Sequence, residues 1–74
     1  MNCHFVPNNA TQDYTPENND VLTLRMDDLV YVFRKDNAVK DGGTGKPGWW
    51  EGETLGITGL FPKEYVKSLD KKLI

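Results

Sequence analysis

Aromatic side chains supply the most distinctive chemistry in this sequence of 74 residues. Trp49 and Trp50 are its only tryptophans, and they stand side by side in the segment Pro-Gly-Trp-Trp-Glu-Gly-Glu. Neighbouring side chains leave opposite faces of an extended strand, so only one of these rings can point into the core of a sheet with one buried face. The other ring either covers the edge of the core or contacts a partner.

Four aromatic or proline side chains have no predicted place in the core: Tyr14, Trp49, Pro62 and Tyr65. Tyrosine and tryptophan combine a large rigid face with one polar atom, which suits a shallow peptide-binding groove. A polyproline II ligand is already extended and exposes both ridged apolar rings and unpaired carbonyl groups. Aromatic slots can receive its rings while indole N–H or tyrosine O–H groups donate to its carbonyls. These residues therefore indicate a groove for proline-rich peptides.

Catalytic chemistry is not indicated. Cys3 and His4 are the only cysteine and histidine, and neither has partners at metal-ligand or catalytic spacing. The Gly-Gly-Thr-Gly segment at 42–45 lacks the Lys-Ser/Thr and the strand-to-helix setting of a phosphate-binding loop. The acidic pair at 27–28 lies where a tight turn should enter a strand. We expect no enzyme activity, cofactor or metal site.

Composition restricts the class of protein further. A chain of this length forms one small domain, and 38% apolar with 27% charged residues is typical of globular proteins. The net charge of −2 with no basic stripe argues against nucleic acid, and no apolar run is long enough to span a membrane. A lone cysteine fits a reducing compartment. We expect a monomeric, cytoplasmic domain with no nucleic-acid or membrane partner.

Short alternating or apolar runs separated by turn residues predict an all-β fold. The candidate strands are Cys-His-Phe-Val-Pro, Ala-Thr-Gln-Asp-Tyr, Val-Leu-Thr-Leu, Leu-Val-Tyr-Val-Phe, Gly-Trp-Trp-Glu-Gly-Glu, Gly-Ile-Thr-Gly-Leu-Phe-Pro and Glu-Tyr-Val-Lys-Ser-Leu. Five short strands would close most economically into a small barrel. The predicted core is Ala10, Leu22, Leu24, Val30, Val32, Gly52, Leu60 and Val66.

Two long connections join these strands. Residues 15–20 are polar and acidic, and residues 34–48 contain four glycines and one proline. A loop as long as 34–48 in so small a domain is typically functional or mobile.

From about Ala10 to Leu69 the sequence resembles an SH3 domain. Ala-Thr-Gln-Asp-Tyr is similar to the family's first signature, Met-Asp-Asp-Leu-Val-Tyr-Val to its diverging turn and next strand, and Gly-Trp-Trp-Glu-Gly-Glu to its tryptophan pair. Gly-Ile-Thr-Gly-Leu-Phe-Pro-Lys-Glu-Tyr-Val is similar to its C-terminal end. The resemblance implies a five-stranded barrel with a short 3-10 turn before the last strand, flanked by an N-terminal extension (1–9) and a C-terminal tail (70–74).

The resemblance also implies a function and a site. SH3 domains bind proline-rich peptides, usually with a Pro-x-x-Pro core, and serve as adaptors in signalling, cytoskeletal or trafficking complexes. Tyr14, Trp49, Pro62 and Tyr65 would line two proline slots. Trp49 would separate them from a specificity pocket between the family's RT loop (15–20 here) and n-Src loop (34–48 here). Trp50 would pack on the other side of the sheet.

Departures from the family pattern alter this expected site. Gln12 stands where many members have a second aromatic residue, which predicts a shallower or more polar outer slot. Val21 replaces an RT-loop acid that often pairs with a basic ligand residue, leaving Glu17 and Asp20 as nearby substitutes. Glu64 replaces an asparagine, and a carboxylate accepts hydrogen bonds but cannot donate them.

The n-Src loop is longer than in compact family members, so Asp41 and the neighbouring lysines would shape a distinctive pocket. A second hypothesis follows from these departures: the barrel binds a folded partner or an intramolecular segment through residues 34–48 and does not recognise a Pro-x-x-Pro motif.

The register of the first strand has two solutions. Ala-Thr-Gln-Asp-Tyr fits the family's spacing from Tyr14 to Leu22 without an insertion. Alternatively, Cys-His-Phe-Val-Pro fills the signature strand, with Cys3 in the core, Phe5 in the groove and a much longer RT loop.

Overall fold

Five antiparallel strands form one sheet in the computed structural model, which describes residues 6–69. The strands are β1 (Val6–Ala10), β2 (Leu29–Arg34), β3 (Trp49–Thr54), β4 (Ile57–Pro62) and β5 (Val66–Ser68). Their order across the sheet is β4-β3-β2-β1-β5. Short 3-10 turns occupy Val39–Asp41 and Lys63–Tyr65. The predicted all-β class, the five strands and the 3-10 turn before the last strand are confirmed.

The first strand differs from both predicted registers. β1 joins the end of one candidate segment to the start of the other, so residues 6–9 belong to the sheet and only Ala10 of the Ala-Thr-Gln-Asp-Tyr segment is in a strand. Tyr14 instead forms an isolated bridge with Leu24. Cys3, His4 and Phe5 lie outside the described residues.

The predicted Val-Leu-Thr-Leu strand is also wrong as a strand. Val21 forms an isolated bridge with Leu60, and Leu24 forms one with Tyr14. The segment therefore pairs with two different parts of the chain and has no continuous ladder. The segment still closes the barrel along β4, where Leu22 N–H donates to the Leu60 carbonyl at 2.7 Å. Leu22 and Leu24 are both buried, as their alternation predicts.

The core differs from the prediction in β4. Within residues 6–69, seven apolar residues are buried: Ala10, Leu22, Leu24, Val30, Val32, Phe61 and Val66. Leu60, predicted to be inside, is only half-buried, whereas Phe61 is fully buried. Adjacent strand residues face opposite sides, and in β4 the inner face carries Gly59 and Phe61. Burying a phenylalanine completely stabilises the fold by about 1.5–3 kcal/mol. The burial of Phe61 in place of Leu60 is therefore important for stability.

Gly52, predicted to lie in the core, is buried. A Cβ atom there would collide with the Tyr31 carbonyl oxygen and lie 3.1 Å from Phe61 Cε2. Only a residue without a side chain fits between β2 and the buried ring.

The β3–β4 hairpin turns at Leu55 and Gly56. Both residues have positive φ angles, 54° and 82°, as a two-residue type I′ turn requires. Glycine adopts this conformation freely, whereas a leucine there is strained. Leu55 is also 82% exposed, so burial does not offset its strain.

Among residues 6–69, no helix is long and apolar enough to cross a membrane.

Candidate binding groove and its supporting loop

The two tryptophans occupy opposite faces at the start of β3. Trp50 packs against the core, with its ring edge-on to Phe61 at a centroid distance of 6.5 Å. Its indole Nε1–H donates to Asp36 Oδ1 at 3.3 Å. Lys35 Nζ lies 4.9 Å from the Trp50 ring centroid, at cation–π distance. Trp50 is therefore held from several sides.

Trp49 has different surroundings. Its side chain is half-buried and is neither part of the core nor packed against it. In the β3–β4 register it lies opposite Pro62. The Trp49 side chain makes no hydrogen bond to any residue in the range 6–69. Its backbone, in contrast, is anchored: its N–H donates to the Lys46 carbonyl at 3.0 Å.

Tyr14 and Tyr65 form an aromatic pair. Their ring centroids are 4.9 Å apart with an interplanar angle of 61°, an edge-to-face contact. Two backbone hydrogen bonds of 2.8 Å to Leu24 fix Tyr14, and the Tyr65 carbonyl accepts the Thr11 N–H at 2.8 Å. Tyr65 ends the 3-10 turn that begins directly after Pro62. The structure thus places the four predicted groove residues in two pairs joined by this turn.

The other predicted site residues are exposed polar side chains: Gln12, Glu17, Asp20, Asp41 and Glu64. None of these side chains makes a hydrogen bond or ion pair with another residue in the described range 6–69. Asp41 ends the 3-10 turn within the long loop, and its backbone is hydrogen-bonded: its N–H donates to the Ala38 carbonyl at 2.9 Å, and its carbonyl accepts from Asn37 Nδ2 at 3.0 Å. The five side chains are available to solvent or to a partner.

Val21, in contrast, does not lie with the groove residues. It contributes to a separate surface cleft of about 320 Å³, whose apolar lining includes Pro16, Leu55 and Ile57. None of the four aromatic and proline groove residues lines that cleft. An acidic residue at position 21 would therefore face this cleft and not the groove.

The n-Src loop is folded, which the sequence alone did not predict. Backbone hydrogen bonds join Thr44 to Lys35 at 2.8 Å and Gly43 to Ala38 at 3.0 Å. The Thr44 hydroxyl donates to the Trp49 carbonyl at 2.8 Å. These bonds cross the loop and attach it to the start of β3.

Asp36 is the main residue that sequence reasoning missed. Its carboxylate accepts the Gly48 N–H at 2.8 Å and the Trp50 indole N–H at 3.3 Å, and it lies 3.6 Å from Lys63 Nζ. The Gly48 hydrogen bond, together with those from Trp50 and its own backbone and the charge of Lys63, lowers the pKa of Asp36 against the opposing effect of partial burial. The carboxylate is ionised at neutral pH. We call these contacts the Asp36 clamp.

No local sequence motif indicates the Asp36 clamp, because the residues that Asp36 contacts lie 12, 14 and 27 positions after it in the sequence. A cluster able to hold a metal ion is also absent from residues 6–69, where no three His, Cys, Asp or Glu side chains come together.

Comparison with known families identifies the fold. A family model described as the variant SH3 domain matches residues 10–67. The chain therefore belongs to the SH3 family, as the sequence resemblance indicated.

The chain is similar in sequence to short segments of two longer proteins. The chain is 44% identical over 62 residues to mitogen-activated protein kinase kinase kinase 10 of Xenopus laevis, a match that covers 84% of this chain and 6% of that protein. It is 43% identical over 58 residues to intersectin-2 of Mus musculus, covering 78% of this chain and 3% of that protein. The chain thus corresponds to a small part of these relatives.

Solved structures agree with this assignment. The C-terminal SH3 domain of myosin IB from Entamoeba histolytica, bound to the EhFP10(GEF) peptide, superposes with a TM-score of 0.72 and 28% identity, covering 95% of this chain and all of that one. The SH3 domain of yeast NBP2 gives a TM-score of 0.70 and 30% identity, covering 88% of this chain and 98% of that one. The chain is a protein-interaction module, and its fold is not that of a catalytic domain.

Proposed function

We propose that this domain binds proline-rich segments in the polyproline II conformation, with a Pro-x-x-Pro core, through a groove lined by Tyr14, Trp49, Pro62 and Tyr65. One observation carries the proposal. The edge-to-face tyrosine pair, 4.9 Å between centroids, continues through a single 3-10 turn into the cross-strand pair of Trp49 and Pro62. We propose that the two pairs together form the row of rings that a ridged proline helix requires.

Hydrogen bonding supports different roles for the two tryptophans, with Trp50 in the fold and Trp49 in ligand binding. A proline helix presents carbonyl groups that its own chain cannot satisfy. The indole N–H of Trp50 is already donated to Asp36, whereas that of Trp49 has no acceptor within residues 6–69. Trp49 is thus the tryptophan free to donate to a ligand carbonyl while its ring separates the proline slots from the specificity pocket.

Charge favours a ligand with a basic flanking residue. Glu17 and Asp20 in the RT loop and Asp41 in the n-Src loop are exposed and have no cationic partner within residues 6–69. Glu64 can accept a hydrogen bond from the ligand but cannot donate one. Gln12 makes the outer proline slot more polar than an aromatic residue would.

We further propose an adaptor or scaffold role in signalling, cytoskeletal or trafficking complexes of the cytoplasm. In this proposal the five-stranded barrel, which includes residues 6–9 in β1 and therefore begins before the expected boundary at residue 10, acts as a monomeric domain. The supporting facts are the similarity to a kinase of a signalling cascade and to a peptide-bound SH3 domain of a myosin.

A peptide array tests the proposal. The purified chain is probed with Pro-x-x-Pro peptides carrying arginine on the N-terminal side, on the C-terminal side or on neither. Each peptide is matched by a control in which both core prolines are alanine. We expect binding to the arginine-flanked peptides and none to the alanine controls. Equal binding to prolines and alanines, or no binding at all, would contradict the proposal.

One observation favours a second candidate function, docking of a folded partner or an intramolecular segment through the n-Src loop. That loop is a hydrogen-bonded unit that presents Val39 with 68% of its surface exposed. Chemical-shift mapping separates the two functions: perturbations centred on Trp49 and Tyr65 favour the proline groove, and perturbations confined to residues 38–46 favour loop docking.

A further inference from the structure

The Asp36 clamp joins three separate parts of the chain that meet at the groove. Asp36 lies near the start of the n-Src loop, Gly48 directly precedes Trp49, and Lys63 directly follows Pro62. The Asp36 carboxylate contacts the other two places: the start of β3, through Gly48 N–H at 2.8 Å and Trp50 Nε1–H at 3.3 Å, and the segment after β4, through Lys63 Nζ at 3.6 Å. Its side chain is 27% exposed, so water competes only in part for these contacts.

Gly48, the residue directly before Trp49, is hydrogen-bonded through both its N–H and its carbonyl. Gly48 has a φ of 85°, in the left-handed region. Its N–H is held by Asp36, and its carbonyl accepts the Lys63 N–H at 2.9 Å. A glycine has more backbone freedom than any other residue, so without these bonds this hinge would sample many conformations. The Lys46 carbonyl and the Thr44 hydroxyl also hold the Trp49 backbone, and the Gly48 bonds add to these anchors in setting the direction in which the Trp49 ring leaves the chain.

We infer that Asp36 is a positioning residue for the ligand groove: its carboxylate fixes the Gly48 hinge and thereby holds Trp49 in the orientation that receives a peptide. This inference rests on the proposed function, since Trp49 is a binding residue only there. Asp36 itself does not touch the ligand. A groove fixed in advance avoids the entropy cost of ordering Trp49 during binding.

The chemistry of the clamp requires a carboxylate. Two oxygens accept from two donors, and the negative charge matches Lys63. Asparagine at this position offers one acceptor, and its NH₂ group would face the indole N–H or the Gly48 N–H. Asp36→Asn should therefore weaken the clamp and Asp36→Ala should remove it.

The first measurement needs no ligand. Amide hydrogen exchange is compared in the full chain, in Asp36→Ala and in Asp36→Asn. We expect exchange at Gly48 to accelerate about tenfold in Asp36→Ala and less in Asp36→Asn, because a charge-assisted hydrogen bond protects this amide. The Val32 amide in the central strand reports global opening. The inference is overturned if Gly48 exchanges as in the unmodified chain, or accelerates only as much as Val32.

Peptide affinity is the second measurement, with an arginine-flanked Pro-x-x-Pro peptide as the probe. We expect Asp36→Ala to bind about tenfold more weakly at a temperature where it is fully folded, with Asp36→Asn in between. Asp27→Asn is the matched control: Asp27 is an exposed aspartate in the turn before β2, outside the Asp36 clamp, and asparagine tolerates its φ of 74°. It should bind as the unmodified chain does.

The outcomes separate the two proposals. If the unmodified chain binds no proline-rich probe, the proposed function fails and Gly48 exchange alone decides whether Asp36 fixes the hinge. If the unmodified chain binds and the Asp36 variants bind equally well after losing only thermal stability, the clamp is structural and the positioning role is wrong. If Asp36→Ala does not fold, Asp36→Asn supplies both measurements.

Discussion

The two ends of β3 are built in opposite ways. At its start, the left-handed residue Gly48 is held by a carboxylate 12 positions away and by the residue after Pro62. At its end, the left-handed residues Leu55 and Gly56 form a local two-residue turn. The first end carries the half-buried ring of Trp49, and the second carries an exposed and strained leucine.

This difference separates binding from stability along a single strand. The groove end depends on contacts between distant segments, so a change there should alter how the groove is presented. The turn end depends on backbone conformation and one buried hydroxyl, so a change there should alter the free energy of unfolding and leave the groove unaffected. The following predictions test that separation.

The largest effect is expected from Trp49→Ala. Removing a central interface tryptophan typically costs 2 kcal/mol or more, so affinity for a proline-rich peptide should fall at least about 30-fold, while the melting temperature changes little. Calorimetric titration and thermal unfolding measure the two quantities. Trp50→Ala is the paired comparison and should mainly lower stability, because that ring packs on Phe61. A Trp49→Ala chain that is unfolded would place the ring in the core and refute the groove.

Thr54→Val should destabilise the turn end. Thr54 is only 4% exposed, and its hydroxyl donates to the Leu29 carbonyl at 2.9 Å. Valine leaves that carbonyl without its donor, at a cost of about 1–2 kcal/mol. Denaturant unfolding should show this loss with unchanged peptide affinity. A weaker affinity would mean that the two ends of β3 are coupled.

Leu55→Asn should stabilise the domain by roughly 0.5–1 kcal/mol, because asparagine adopts the left-handed conformation of a type I′ turn more easily than leucine does. Leu55→Ala is the matched control, since it removes the same exposed side chain but keeps an unfavourable residue at positive φ. Denaturant midpoints of the two variants decide the question. Equal midpoints would show that strain at Leu55 is not the cause.

The smallest expected effect is the contribution that the ionisation of Asp36 makes to the free energy of unfolding. Its pKa in the folded chain is lowered below the ordinary 3.8, chiefly by the Gly48 hydrogen bond. Its contribution to stability is therefore complete above pH 3.8 and is lost as the pH falls through the lowered pKa. Unfolding measured from neutral pH to about pH 2 should show a steeper acid loss in the unmodified chain than in Asp36→Asn. Parallel curves would exclude a folded-state role for the charge.

Much of the fold was predictable from the sequence because local patterns determine it. The predicted strands Leu-Val-Tyr-Val-Phe and Gly-Trp-Trp-Glu-Gly-Glu are found as β2 and β3, and Val30 and Val32 are buried as predicted. The exchange of Leu60 for Phe61 in the core was missed, since two adjacent apolar residues do not reveal which one faces inward. The first strand was misplaced because its pairing with β2 and β5 is long-range.

The groove residues proposed from the sequence stay a prediction, and the contacts that support their positions could not be predicted. Aromatic residues without a buried destination can be recognised by type, as Tyr14 and Tyr65 were, and the structure brings these two together. The Asp36 clamp could not be recognised, because an aspartate in a Gly-rich loop has no distinguishing sequence feature. The partners of Asp36 can be identified only from the folded structure.

The two indole N–H resonances provide the most direct test of the central claim, that Trp49 and not Trp50 meets the ligand. Both are resolved in a proton–nitrogen spectrum recorded while an arginine-flanked Pro-x-x-Pro peptide is added. The account predicts a large saturable shift of the Trp49 indole N–H and a small one of the Trp50 indole N–H, which remains bonded to Asp36. A stationary Trp49 signal in a chain that binds the peptide would contradict it.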